Sequence, residues 1–486
     1  MVAAAPHLTL RGLGPQPLQV HFDGGRVVAD AGLLAVRALE RPLRVIADLA
    51  QRLPDPRSPR FLRHSLEALL TQQIYQLLAG YPDGNDAQAL RRDALFQILA
   101  DHSPDPEQPL ASGSTLARFH YAYTRRQAVA PGEPEVLLQR RAAQTGRLKI
   151  VNDYLVDLFI RTRRAPPVEV ILDVDASDDP THGRQALAGY HGYFEQHQYF
   201  PLFVFDGQSG FPLAAWLRPG TVHASCGAVE VLAGLVARLR AAWPGVAIRL
   251  RADNGFGVPA VYDFCERESL PYAIGYASNP VLQRATAQAL DDVELYYACY
   301  GDRDPWVQRF EEVRGYQAAS WPRPRRIVAK VERTPQGSQR RFVVTNLPGE
   351  PEAVYRDFSV RRGAVPEQPI GELKNGLRAE RLSASGFCAN ALRLLLHVAA
   401  YAIVVLFREA TAGVPEAATA TVGTWRQRRW RVAAVVESGR RRLALHLSET
   451  WPERGLWLRV CEAVQAYAAC RAEGAGTAVG PRPASG

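Results

Sequence analysis

Three short segments carry the residues best suited to chemistry. Leu172-Asp-Val-Asp-Ala-Ser177 and Leu250-Arg-Ala-Asp-Asn-Gly-Phe256 place carboxylates at the ends of β-patterned stretches, and Glu367-Gln-Pro-Ile-Gly-Glu-Leu-Lys374 places another on a helix-patterned one. Carboxylate oxygens are the ligands that suit Mg²⁺, and two such ions held together stabilise the attacking and leaving oxygens of a phosphodiester. An acid at a strand end is by default a solvated turn residue. Here the coincidence of several acids in a basic chain points to a nucleic-acid backbone as substrate.

The chain has 486 residues, enough for about three domains at the usual size of roughly 100 to 200 residues each. An apolar and aromatic share of 47% with 22% charged residues fits a globular enzyme and excludes a disordered or fibrous chain. Basic residues exceed acidic ones, 58 to 49, for a net charge of +9. Arginine far outnumbers lysine, and its planar fork binds phosphate in a bidentate way. Six scattered cysteines form no Cys-x-x-Cys pair, and the first residues lack a basic leader with an apolar core, so a reducing cytoplasm is the expected compartment. His182, His191 and His197 match no usual zinc spacing and are assigned no metal. The apolar run from Ala389 to Phe407 contains Arg393 and His397 and reads as a buried helix, so no membrane partner is expected.

The elements that must position the acids follow from periodicity. From Asp30 to Tyr123 apolar residues recur at helical spacing, interrupted by turn chemistry at Gly80–Asp86, and Ser112-Gly-Ser-Thr115 starts a helix ending near Arg125 and Arg126. At Val168 to Asp175 the period changes to two, with Val168, Val170, Leu172 and Val174 on one face and Asp173 and Asp175 on the other. Two strands joined by a turn follow between Tyr199 and Leu217, then a helix from about Cys226 to Ala242 and a strand from Val246 to Ala252 that delivers Asp253. Strands with intervening helices make an α/β sheet whose ligands sit at the strands' carboxyl ends. Arg326 to Val331, a Thr334-Pro-Gln-Gly337 turn and Arg341 to Thr345 read as a hairpin in a β-rich insertion that also carries Trp306 and Trp321. Either tryptophan is a candidate to stack on an unpaired base, with core packing as the plain alternative. Helix resumes near Glu367, and Glu367 and Lys374, seven positions apart, fall on one face of it. The chain ends in a basic segment, Trp425-Arg-Gln-Arg-Arg-Trp-Arg431, and a tail rich in Gly, Ala and Pro.

Taken in order along the chain, further motifs resemble one family. They are Gly80-Tyr-x-Asp-x-Asn-Asp86, Arg91-x-Asp93 and Ser114-Thr-Leu-x-Arg-Phe119; then Leu172-Asp-Val-Asp175, Tyr199-x-Pro-Leu202, Leu217-Arg-Pro-Gly220 and Leu250-Arg-Ala-Asp-x-Gly-Phe256; then Glu367-x-x-Ile-x-Glu-Leu-Lys374 and Ala389-Asn-x-Leu-Arg-Leu-Leu-Leu396 with Ala400-Tyr401. The set is similar to the DDE transposases of bacterial insertion sequences, specifically the insertion-sequence family numbered 1380.

The resemblance implies an α/β fold: a ribonuclease-H-like catalytic core interrupted by a β-rich insertion, with a helical N-terminal domain. It divides the chain into a DNA-binding region at 1–150, the first part of the core at 151–276, the insertion at 277–350, the helical second part of the core at 351–412 and a basic C-terminal segment at 413–486. It implies Asp175, Asp253 and Glu367 as catalytic and metal-binding residues, with Asp173 and Glu372 in reserve. Two Mg²⁺ ions, for which Mn²⁺ can substitute, are the implied cofactor. Lys374, Arg362, Arg361, Arg251, Arg125 and Arg126 are the expected DNA contacts. The implied activity is cleavage at terminal inverted repeats and joining to target DNA, performed by a homodimer on paired ends. The sequence departs from the family pattern just upstream of Glu367: Phe358 stands near an expected Tyr, the arginine is displaced, and Pro366 intervenes. An inactive or domesticated DNA-binding derivative is therefore one alternative, and a metal-dependent nuclease without strand transfer is another.

Overall fold

A computed structural model describes residues 7–11, 16, 18–122, 146, 148–364, 367–439 and 441–475, with backbone alone at 7, 359–364, 367, 368 and 472–475. The chain divides into two compact units: one of Met1–Ala122, Asn375–Arg381 and Leu406–Gly486, the other of Tyr123–Lys374 and Leu382–Val405.

The second unit is built on an eight-stranded sheet. In chain order its strands are β1 (Glu169–Ala176), β2 (Leu202–Asp206), β3 (Pro212–Trp216), β4 (Ala247–Ala252), β5 (Tyr272–Tyr276), β6 (Val307–Val313), β7 (Arg326–Thr334) and β8 (Gly337–Thr345). They lie side by side in the order β6-β7-β8-β5-β4-β1-β2-β3. The three central strands, β1, β4 and β5, are parallel, and every other pairing is antiparallel. Val170, Ile171, Leu172, Asp173 and Val174 are all buried, as a strand covered on both faces requires. Val168, expected on the core face, precedes the strand and is 91% exposed.

Helices cover this sheet. Helix α1 (Lys149–Thr162) packs on β3, where the buried Asn152 amide bonds both backbone groups of Ala215, at 3.1 and 2.8 Å. Helix α2 (Ala228–Ala242) buries Leu232, Leu235, Val236 and Leu239, positions at helical spacing, and packs against α1 and α3 (Pro259–Arg267). Proline at the start of α3 fills a position whose N–H has no intrahelical partner.

The expected hairpin is present as β7 and β8, joined at Thr334–Gly337, with Gly337 at φ +125°. Because β8 also pairs with β5, the hairpin extends the central sheet. Helix α4 (Ala287–Tyr300) covers one face through Ala289 and Val293 against Val307 and Val331. Helix α5 (Pro351–Ala364) covers the other, with Val354, Tyr355 and Phe358 against Ala273, Val328 and Val343.

After α5, a short α-helical turn, Glu367–Gly371, opens into a π-helical one, Glu372–Gly376. The wider turn departs from the one regular helix expected over this segment and shifts the phase between Glu367 and Lys374. The long helix α6 (Phe387–Ala410) is long and apolar enough to cross a membrane, but its apolar window is 100% buried within the protein.

The first unit is helical around Leu66–Ala79, which buries twelve of its fourteen residues, including Gln72, whose amide bonds both backbone groups of Ala111. Both ends of the chain contribute. Arg26–Val28 pairs with Ala434–Ser438, which pairs with Leu443–Leu447, and Arg454–Ala475 packs on Leu34–Leu43. The segment read as basic is largely core: Trp425 and Trp430 stack 6.2 Å apart and are 1% exposed, and Arg426 and Arg429 are buried beside them. Burial drives the Arg426 guanidinium down to about 10, and Arg431 and Arg378 add to the effect.

Candidate active site at the carboxyl ends of the central strands

The register of β1 and β4 brings two acids together. Ala252 pairs with Val174, so the next residue along each strand is an aspartate: Asp175 in β1, Asp253 directly after β4. Both leave the sheet on the same face, both are half-buried, and both lie at the strands' carboxyl ends. Asp253 Oδ1 accepts from the Gly255 N–H at 2.9 Å and so caps the tight turn Asn254–Phe256. Gly275 on β5 makes room for that turn, since a Cβ there would lie 2.9 Å from the Asn254 nitrogen. Asp175 Oδ1 accepts from the Ala176 N–H at 2.8 Å.

One step deeper on the same face, Arg251 and Asp173 are register partners and form a bidentate ion pair, with both bonds at 2.6 Å. Their side chains are 0% and 1% exposed. This corrects the expectation that Arg251 contacts DNA, because its guanidinium lies inside the sheet's packing and is committed to Asp173. Asp173, the reserve candidate for the first acid, is engaged in the same pair, which leaves Asp175 as the more exposed of the strand's two aspartates. Helix α5 is tied to this region as well: Asp357 binds Arg249 through its carboxylate and Arg251 through its backbone carbonyl.

Just beyond Asp175, Lys374 Nζ reaches Asp178 Oδ1 at 2.7 Å, and Asp178 Oδ2 accepts from the Gln196 amide at 3.0 Å. Burial acts to raise the Asp178 carboxyl, but the Lys374 hydrogen bond and charge and the Gln196 bond outweigh it and hold it below the ordinary range. Glu372 is buried and accepts from the Tyr401 hydroxyl at 3.1 Å. The Tyr401 ring meets Phe205 edge-on, and Phe205 is the register partner of Asp173. Glu372 is thereby anchored over the sheet face that carries the aspartates.

The Glu367, Arg361 and Arg362 side chains, and Arg125 and Arg126 entirely, lie outside the described residues. Among the described residues no group of three or more His, Cys, Asp or Glu side chains is arranged to hold a metal ion. Of the two stacking candidates, Trp321 is core: it is 4% exposed, ringed by Tyr262, Tyr276 and Tyr316, with the Arg325 guanidinium 5.5 Å from its centroid. Trp306 is 60% exposed.

Residues 11–469 match the family described as Transposase DDE domain group 1. The chain belongs to this DDE transposase family. It is a DDE-type DNA transposase, an enzyme of mobile elements, and such transposases generally use divalent metal ions. No curated protein sequence matches it. Among solved structures it is similar to a piggyBac transposase in a synaptic complex with hairpin DNA, at 10% identity and a TM-score of 0.40, covering 92% of this chain and 82% of that one. It is also similar to the Mos1 transposase paired-end complex with left transposon end, at 13% identity and a TM-score of 0.17, covering 46% and 71%. The family assignment rests on the sequence match, not on these two likenesses.

The acid pair of this transposase fits a hard divalent cation in donor chemistry: two adjacent carboxylates, oxygen-only and half-buried, held by strand register and a capped turn. Sequence reasoning missed the role of Arg218, in the quoted motif Leu217-Arg-Pro-Gly220. Its buried guanidinium donates to the carbonyls of Phe200, Ala224 and Cys226 at 2.7, 2.6 and 2.9 Å, shaping the loop beside Asp253. The available signal was an arginine directly after an apolar strand, where a solvated charge is the ordinary expectation.

Proposed function

We propose that this transposase acts on the terminal inverted repeats of its own insertion sequence, cuts the DNA there in a Mg²⁺-dependent reaction and joins the freed ends to target DNA. The observation that carries this reading is the side-by-side placement of Asp175 and Asp253 on adjacent parallel strands. The strand order β3-β2-β1-β4-β5, with β2 antiparallel and β1, β4 and β5 parallel, supports a ribonuclease-H-like core. The motif order supports the insertion-sequence group numbered 1380.

Asp175 and Asp253 would hold the metal, with Glu367 as third ligand and Glu372 as its alternative. Two Mg²⁺ ions, or Mn²⁺ in their place, supply Lewis-acid stabilisation of the charge that builds at the phosphoryl group. In the first step water adds at phosphorus, the P–O3′ bond breaks and a 3′-hydroxyl is released. In the second, that hydroxyl attacks a target phosphate, a new P–O3′ bond forms, the target's own P–O3′ bond breaks and the target strand's 3′-hydroxyl leaves. Lys374, tied to Asp178 close behind Asp175, offers a cation to the DNA backbone beside the acids. Arg361 and Arg362 are assigned the cleaved strand, and Arg125 and Arg126 the duplex further away. A homodimer on paired ends would bring both ends to one target.

The test uses the full chain, Mg²⁺ and linear DNA bearing the sequences that flank the gene, alongside Asp253→Asn. Cutting at the repeat edge followed by joining, both lost in the variant, supports the proposal. End binding without cleavage by either protein would favour a DNA-binding derivative, and unselective cutting without joining would favour a nuclease.

A further inference from the structure

The loop from Leu217 to Gly227 is more firmly built than a connection needs to be. Arg218 is 2% exposed and spends three donors on the loop's own carbonyls and on Phe200. Burying a guanidinium is costly unless its donors are used, so this one fixes the loop's shape. Gly220 lies tight beneath neighbouring strands, since a Cβ there would sit 1.9 Å from the Gln198 carbonyl oxygen. At its far end the loop touches the turn of the second catalytic acid. A Cβ built on Gly255 would lie 2.7 Å from the Ala224 Cβ and 3.1 Å from Asp253 Oδ1.

Of residues 217–227 only Thr221 and His223 are exposed, and His223 directly precedes Ala224. The imidazole is held in place: its Nδ1 accepts from the Ser225 N–H at 3.3 Å and lies 2.9 Å from the Ser225 hydroxyl. A backbone N–H directed at Nδ1 makes that nitrogen the acceptor, so the neutral ring carries its proton on Nε2. The loop therefore carries one exposed N–H donor on the residue next to Ala224, where the loop meets the Asp253 turn.

We infer that His223 is a DNA-binding residue of the active site, whose Nε2–H donates to a non-bridging oxygen of the phosphate at, or next to, the bond being cut. The assignment rests on the cut-and-join reading of the same site. It gives the loop's buried arginine a purpose: Arg218 positions, and His223 touches the substrate. A preorganised donor aimed at a phosphoryl oxygen gains strength as charge develops there, so its loss falls on the rate of cutting more than on folding.

The full chain is compared with His223→Ala and His223→Gln on end-bearing duplex, in Mg²⁺ for cutting and in Ca²⁺ for binding alone. Expected are a cleavage rate reduced on the order of 10²-fold in His223→Ala, an unchanged Mg²⁺ dependence, and partial recovery in His223→Gln, whose amide retains an N–H. In Ca²⁺, ethylation of one phosphate at the cut edge should weaken binding by the unsubstituted protein and leave His223→Ala binding unaltered. A merely structural histidine would not remove that single-phosphate penalty. Wild-type cutting by His223→Ala, or slow cutting with the ethylation pattern intact, overturns the assignment alone. If the unsubstituted chain cuts nothing, the cut-and-join reading fails and takes the assignment with it.

Discussion

Arg251 clasps Asp173 across the boundary between β4 and β1, with both side chains buried and both carboxylate oxygens bonded. The pair stands directly behind Asp175 and Asp253 and fixes the register that sets those two side by side. Removing one partner of a buried pair strands the other charge, so Arg251→Leu and Asp173→Leu should each destabilise the protein by about 3–5 kcal/mol. The double variant should cost less than the two singles together. Urea unfolding of all three measures this, and additive losses would show that the two groups do not act as a unit.

Asp253→Asn keeps an oxygen to accept from the Gly255 N–H, so the turn should survive. Cleavage should fall by at least about 10²-fold while the melting temperature stays close to that of the parent. Asp175→Asn should behave alike, and Asp173→Asn should instead lose stability. A melting curve beside each activity assay separates the cases.

Close contact between two turns makes a paired test. Gly255→Ala drives a methyl into Ala224 and against Asp253, and strand cutting should drop with a loss of about 1–3 kcal/mol in stability. Adding Ala224→Gly removes the nearer obstacle and should restore part of both. Failure of the second change to restore either quantity would mean that the contact with Asp253 dominates.

Gly207 is a second such position. A Cβ there would lie 2.5 Å from Asp173 Oδ2 and 2.6 Å from Arg251 Nη2. Gly207→Ala should therefore destabilise the parent and have a smaller effect in a chain already carrying Asp173→Leu and Arg251→Leu, as chemical denaturation of the four proteins would reveal.

Acid stability should depend on Glu266. Burial acts to raise its carboxyl, but hydrogen bonds from Arg325, Arg323 and Tyr272 prevail and bring it down to about 2. A folded value below the ordinary one near 4.5 means the stabilisation is full above that value and is lost as pH falls through the folded one. Thermal melts between pH 6 and pH 2 should show a decline below about pH 4.5 that is shallower in Glu266→Gln.

The elements that carry the two aspartates were readable from the sequence, because period-two patterning marks β1 and turn chemistry marks the residues that follow β4. The strand expected from Val246 to Ala252 is observed as Ala247–Ala252, and the hairpin turn falls at Thr334–Gly337. Arg251 was not readable, because its role depends on which residue of a strand 78 positions away lies opposite. Trp306 and Trp321 look alike as sequence, and only the ring of tyrosines around Trp321 separates them. The π turn at Glu372 leaves no mark in apolar spacing. Arg26–Val28, at three residues, is too short to display a period, so its partnership with the chain's far end was not readable either.

That partnership has an evolutionary consequence. The unit that holds Leu66–Ala79 closes only when Ala434–Ser438 and Arg454–Ala475 have been synthesised. Its N-terminal part is not a detachable cassette. A recombination event that exchanged only the segment around residues 26–43 would leave a sheet strand and a helix without their counterparts, so that segment and residues 434–475 must be inherited together.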